Sequence, residues 1–301
     1  MSENSDPAAH LPDRWAPTWR NRLLDAFEIL QYQVFRRLPL GLSPRLARRS
    51  IPPAIRRDRP WVVERAAANL KRHRPQASDA QIEAGVAAFL ENIANYVGET
   101  PTIGRHMRAG RIDLLDPDHA AERAKRTGVV ALCLHTGNWE IMLEGLRALG
   151  ISAACAPVTW ESPGQTWIIN DLRRRNGLRY LATNRGGMRA AWQELHAGGI
   201  LAVFVDEARK GRLMAPLFGR PPHGEGNLAV AAKLARRTHT PVALCYTTRL
   251  PDNRFRVFFG PAIPLPEESK GLLDDVAFLN ALIEPVILEH LEQWFWLDDE
   301  F

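Results

Sequence analysis

The chain has 301 residues, 46% apolar and 24% charged, a balance that excludes intrinsic disorder and low complexity. At roughly 150 residues per domain it makes one large domain or two small ones, with core enough to need no disulfide or structural metal. Its 39 Lys and Arg outnumber 34 Asp and Glu, and Cys133, Cys155 and Cys245 lie far apart, which excludes a zinc ribbon or a disulfide scaffold.

The first segment, MSENSDPAAHLPDRW, is polar and does not read as a secretory signal. Residues 1–20 are expected to form a loose tail. Residues 21–301 are expected to be one domain: 21–125 helical, 126–268 an α/β core, and 269–301 a carboxy-terminal helix. In NRLLDAFEILQYQVFRRL, Leu23, Leu24, Phe27, Leu30, Tyr32 and Phe35 fall near helical spacing. Eight arginines then crowd residues 36–59, with Asp58 as the one acid. A basic amphipathic stretch of this kind suits an anionic membrane surface or nucleic acid. The plainer alternative is a core-packing helix followed by a solvated arginine-rich turn. No apolar run reaches the length of a transmembrane helix, so none is expected.

SDAQIEAGVAAFLENIANYVGE is the clearest helix. Ser78 and Gln81 fit a capping box, and apolar residues recur at 82, 86, 89, 93 and 97. After residue 128 short unbroken apolar runs appear: GVVALCLH, ISAACAPV, GILAVFVD and PVALCYTT. Such runs read as strands buried on both faces, and the segments between them are helix-compatible. The fold class is therefore α/β, a central, mainly parallel sheet flanked by helices, with a helical amino-terminal extension. The last helix is expected to run through FLNALIEPVILEHLEQWFW, interrupted or kinked at Pro285.

VVALCLHTGNWEIMLEGL carries the chemistry. A strand runs into His135, Thr136-Gly137 turns the chain, and a helix is expected to begin near Asn138. Glu140 stands five residues after His135, a separation that diverges by about 140° within one helix. A strand-to-helix turn loosened by Gly137 can instead join imidazole and carboxylate, fixing the ring's tautomer and raising its basicity. The first helical N–H groups would then face a developing oxyanion. Open α/β sheets place their sites at such strand ends.

HTGNWE resembles the His-x-x-x-x-Asp/Glu block of the lysophospholipid acyltransferase superfamily, in particular the late acyltransferases of lipid A biosynthesis and the phosphatidylinositol mannoside acyltransferases. DLRRRNGLRYL is similar to that family's Arg-x-Arg-x-Gly block. GGILAVFVDEARKGRLMAPLFGRPPHGEGNLAVAAKLARRTHTPV resembles its stretch from a strand-ending Asp through an apolar-Phe-Gly to a small-residue helix. EQWFW is close to its Glu-Gln-Trp-x-Trp. The four blocks come in family order across about residues 125–296. Where lipid A acyltransferases usually open with a membrane-spanning helix, this chain has an amphipathic, arginine-rich one.

The resemblance implies a glycerolipid acyltransferase-like fold and transfer of a fatty acyl chain from acyl carrier protein or coenzyme A to a hydroxyl or amine of a lipid A-like glycolipid. His135 would be the general base and Glu140 its orienting partner, with Asp206 on the same sheet edge as a third catalytic candidate. Arg173, Arg175 and Asn138 would be substrate-binding candidates, although Asn138 and Gly137 also suit the turn itself. No metal or cofactor is expected. The partners would be the thioester donor, the lipid acceptor and an anionic membrane, with no nucleic acid, at the cytoplasmic face of the bacterial inner membrane. The rival readings are a non-enzymatic protein binding membrane or nucleic acid through residues 36–59, and an acyl-thioester hydrolase.

Overall fold

A computed structural model of the chain describes residues 18–156, 162–181 and 185–300. Most of the tail expected over residues 1–20 lies outside them. Four helices come first: α1 (Trp19–Phe35), α2 (Leu42–Asp58), α3 (Pro60–His73) and α4 (Asp79–Glu99). α4 begins with the expected capping box, Ser78 accepting from the Gln81 amide while the Gln81 side chain accepts from the Ser78 amide. Its Ile82, Val86 and Phe89 are buried, but Val97 is exposed.

Seven strands form one sheet: β1 (Ile112–Leu115), β2 (Val129–Cys133), β3 (Ala153–Cys155), β4 (Arg179–Tyr180), β5 (Ile200–Phe204), β8 (Val242–Leu250) and β9 (Arg254–Phe259), in the spatial order β1-β9-β8-β2-β5-β3-β4. The five strands from β8 to β4 run parallel, while β9 is antiparallel to β8 and carries β1 beside it. β6 (Ala208–Arg209) and β7 (Arg212–Leu213) make a separate hairpin. The four unbroken apolar runs became β2, β3, β5 and β8. β1 lies in the stretch expected to be helical, because four residues are too few to show a period.

Successive residues of a strand face opposite sides, and β2 feeds two cores. Val130, Leu132 and Leu134 pack with residues of α3, α4, α8 (Arg185–His196), α9 (Gly226–Thr238) and α10 (Leu272–Glu289). Val129, Ala131 and Cys133 pack with residues of α5 (Ala120–Thr127), α6 (Met142–Ala148) and α7 (Pro163–Arg175). Both faces are dry, as buried parallel strands require. The last helix keeps Pro285 within α10 but ends at Glu289, so EQWFW does not continue the α-helix as expected. It continues through a 3-10 turn at Leu291–Gln293 into extended backbone at Trp294.

α1 buries only Tyr32. Trp19, Leu23, Phe27, Leu30 and Val34 repeat on one helical face and are all exposed, Phe27 by 63% and Leu30 by 61%. Residues 36–59 are mostly α2 rather than a turn, with Arg45 and Arg49 exposed beside Leu46.

Candidate active site

Sheet register brings the site together. β2 and β5 pair in parallel with Cys133 opposite Phe204, so the residues two further along, His135 and Asp206, leave the same edge side by side. The Asp206 carboxylate accepts from the His135 backbone N–H at 2.8 Å through Oδ2, and its Oδ1 lies 2.8 Å from His135 Nδ1. Trp294 donates its indole N–H to Oδ2 at 2.9 Å. Because Asp206 is an acceptor throughout, Nδ1 carries the ring hydrogen and Nε2 presents its lone pair. Asp206 is fully buried, whereas the His135 side chain keeps 13% of its surface exposed.

Aromatic rings enclose the imidazole: Phe204 at 4.5 Å between centroids, Trp139 at 5.0 Å and Trp296 at 5.2 Å. The Trp296 N–H approaches Nδ1 to 3.2 Å. Nδ1 has one in-plane position, taken by Asp206, so with Nδ1 protonated the indole N–H is a close neighbour there and not a hydrogen bond. The EQWFW segment also clamps the backbone. Phe295 donates its amide to the His135 carbonyl at 2.9 Å, and Gly137 donates to the Gln293 carbonyl at 2.8 Å. Gly137 needs its left-handed φ of +59°, and a Cβ there would stand 2.7 Å from the Thr247 carbonyl.

Glu140 is the main correction to the sequence reading. Its carboxylate is bonded to Arg173, whose Nε lies 3.0 and 3.1 Å from its two oxygens, with Nη2 2.5 Å from Oε1. Both side chains are almost wholly buried, and the charge of Glu140 holds the Arg173 guanidinium firmly protonated against the cost of burial. The carboxylate on His135 is therefore that of Asp206. The reason lies in the turn: Glu140 donates its amide to Asn138 Oδ1 at 3.2 Å, Ile141 donates to the Asn138 carbonyl, and α6 starts only at Met142. Those two amides, expected to face an oxyanion, are spent on Asn138.

Asn138 is fully buried and donates its side-chain amide to Glu99 at 2.9 Å, so it shapes the turn and faces no open site. Arg173, bonded to Glu140 through Nε and Nη2, is likewise almost wholly buried. It packs over Phe204, its guanidinium carbon 5.8 Å from the ring centroid that also touches His135. Arg175 is half-exposed, pairs with Asp171 at 2.5 Å and donates to the Tyr32 hydroxyl, away from His135. Thus His135, Asp206, Glu140 and Arg173 gather around Phe204 and Trp139, while Asn138 and Arg175 belong to neighbouring shells.

Several residues of the site carried no separate signal in the sequence. Glu99 and Arg249 end α4 and β8 and form a buried ion pair, and Arg249 and Gln293 exchange side-chain-to-backbone bonds of 2.6 and 3.1 Å. Only the aromatic density of EQWFW could have pointed to Trp294 and Trp296. Glu207, next to Asp206, turns the other way: its Oε1 accepts the Asn227 amide at 2.8 Å at the start of α9, and its Oε2 is buried without a partner. Burial pushes the Glu207 carboxyl up to about 7. Among the described residues no group of three or more His, Cys, Asp or Glu is placed to hold a metal ion.

A family model described as bacterial lipid A biosynthesis acyltransferase matches residues 52–301. No curated protein matches the chain.

Proposed function

The chain belongs to the bacterial lipid A biosynthesis acyltransferase family, and from that premise we propose that it moves a fatty acyl chain from an acyl carrier protein or coenzyme A thioester to a hydroxyl or amine of a lipid A-like acceptor, with His135 as general base. The acceptor O–H gives its proton to His135 Nε2 as its oxygen attacks the thioester carbonyl. The tetrahedral intermediate collapses, the C–S bond breaks, and the thiolate takes the proton back from Nε2. Asp206 holds Nδ1–H and stabilises the imidazolium between these steps, as the third member of an acid–base triad does. Glu140 and Arg173 support Phe204 and the turn beside the base rather than meeting the substrate. The observation that carries this reading is the His135–Asp206 pair, set by register at the carboxyl ends of two adjacent parallel strands, where open α/β sheets bind ligands.

The acceptor is reached from a membrane surface, in this reading the cytoplasmic face of the inner membrane. The exposed stripe Trp19, Leu23, Phe27, Leu30 and Val34 supports it, as do the exposed arginines of α2. No helix among the described residues is long and apolar enough to cross a membrane, so attachment would be peripheral. Incubating the protein with a radiolabelled acyl thioester, with and without a lipid extract, tests the reaction. Label should move into lipid only when extract is present, and not with His135→Ala. Release of free fatty acid at the same rate with or without extract would make the protein a hydrolase instead, and inertness would leave a binding protein.

A further inference from the structure

α1, α2, α4 and α7 line a half-open cavity of about 650 Å³, within the range of roughly 300–1,000 Å³ typical of small-molecule sites. Its walls are mainly apolar: Tyr32 and Phe35 of α1, Leu46 and Ile51 of α2, Val97 of α4 and Ile169 of α7. Tyr96 and Phe295 also line it, and both pack on Trp139, with centroids 4.1 and 4.9 Å away. Trp139 in turn touches His135. One aromatic layer therefore separates this cavity from the base, so an occupant would lie beside the reacting group rather than in it.

Two charged side chains reach the cavity. Glu28 is engaged, accepting from Ser162 Oγ and Gln165 Nε2 at 3.3 Å each. Arg59 is the one cation in the lining, and its guanidinium makes no hydrogen bond or ion pair among the described residues. The neighbouring Asp58 is instead bound twice by Arg57, at 2.7 and 2.8 Å. Arg45 and Arg49 stand exposed on α2 beside Leu46. An apolar slot whose wall carries a guanidinium without a hydrogen-bond partner among the described residues, with Asp58 and Asp298 as its acidic neighbours, is complementary to an alkyl chain that ends in an anion.

We infer that this cavity is a second, non-reacting lipid site that binds one long-chain fatty carboxylate, its chain between α1, α2, α4 and α7 and its head on Arg59. This does not depend on the proposed acyl transfer, because no group of the site takes part in the reaction.

Equilibrium dialysis of the full chain against labelled tetradecanoate, kept below its micelle concentration, tests the inference. A single saturable site is expected. Ala47 is half-exposed and lines the cavity, so Ala47→Trp should fill the slot from its rim and weaken binding by about tenfold or more. Arg59→Gln, at an exposed position, should weaken tetradecanoate by about tenfold, the loss expected for a charge-assisted contact, while leaving neutral tetradecanol unchanged. His135→Ala should bind tetradecanoate as the parent does, which separates failure here from failure of the acyl-transfer reading. The inference is overturned if no saturable site is found, if Ala47→Trp binds like the parent, or if Arg59→Gln treats acid and alcohol alike. A rise in affinity on Trp15→Glu would also overturn it, by assigning the cavity to the chain's own amino-terminal tail.

Discussion

Asp206 and Glu140 are both buried carboxylates within reach of the same aromatic cluster, yet their partners give them different work. Asp206→Asn leaves the shape but replaces the acceptor of Nδ1–H, so turnover should fall by about two to four orders of magnitude with the melting temperature nearly kept. Glu140→Gln instead strands the buried Arg173 charge, and breaking such a pair costs about 3–5 kcal/mol of stability. Thermal unfolding and the thioester assay, run on both variants, separate the two roles. A Glu140→Gln protein that melts like the parent but turns over poorly would return Glu140 to the chemistry. Glu207 allows a test by pH. Its folded carboxyl, raised to about 7 by burial, keeps its proton well above the unfolded value of about 4.3. The folded state therefore binds more protons across that window, and stability falls as pH rises through it, by up to about 4 kcal/mol. Glu207→Gln removes this slope. Its stability in urea should match the parent near pH 4 and exceed it near pH 8; a constant difference would refute the assignment.

Elements meet at fixed points, and Gly98 is one of them. A Cβ there would lie 2.6 Å from Pro44 Cα and 2.9 Å from the Ser43 carbonyl, backbone atoms of α2 that cannot swing aside. Alanine gains up to about 1 kcal/mol of helix propensity over glycine, but overpacking of this kind costs about 1–3 kcal/mol. Gly98→Ala should thus lower the melting temperature by about 2–4 °C per kcal/mol lost. It should also slow the reaction, because the neighbouring Glu99 holds Asn138 and Arg249; a stabilised, fully active variant would show that α2 and α4 are loosely joined. Much at this scale was legible in the residues. Unbroken apolar runs marked β2, β3, β5 and β8, and Ser78 with Gln81 marked the start of α4, since burial on both faces and capping are local demands. β9, RFRVFF, alternates exposed and buried residues and so lies outside that signal. The partner of His135 was harder to read, because proximity in sequence favours Glu140 while sheet order and register favour Asp206. Sheet order is not a local property. EQWFW drew attention as a block, but its extended course along the His135 turn depends on where α10 ends.

For the molecule as a whole, α1 exposes an apolar face and α2 exposes arginines, and each basic group near an anionic leaflet contributes on the order of 1 kcal/mol. Co-sedimentation with vesicles should therefore require anionic lipid, weaken steeply with salt and drop when Arg45, Arg49 and Arg56 become Glu. Equal binding to neutral vesicles, or none, would remove the membrane from the account without touching the chemistry at His135. The closing segment also sets a timetable. The His135 carbonyl receives its bond from Phe295, and the Asp206 carboxylate receives one from Trp294. During synthesis the histidine leaves the ribosome long before these partners, by on the order of ten seconds at 5–20 residues per second. Until residue 296 is out, the nascent chain holds a sheet edge with an unclamped histidine and no finished centre. A messenger cut short between residues 207 and 293 would yield a protein that carries both His135 and Asp206 but lacks the Phe295 and Trp294 bonds that hold them.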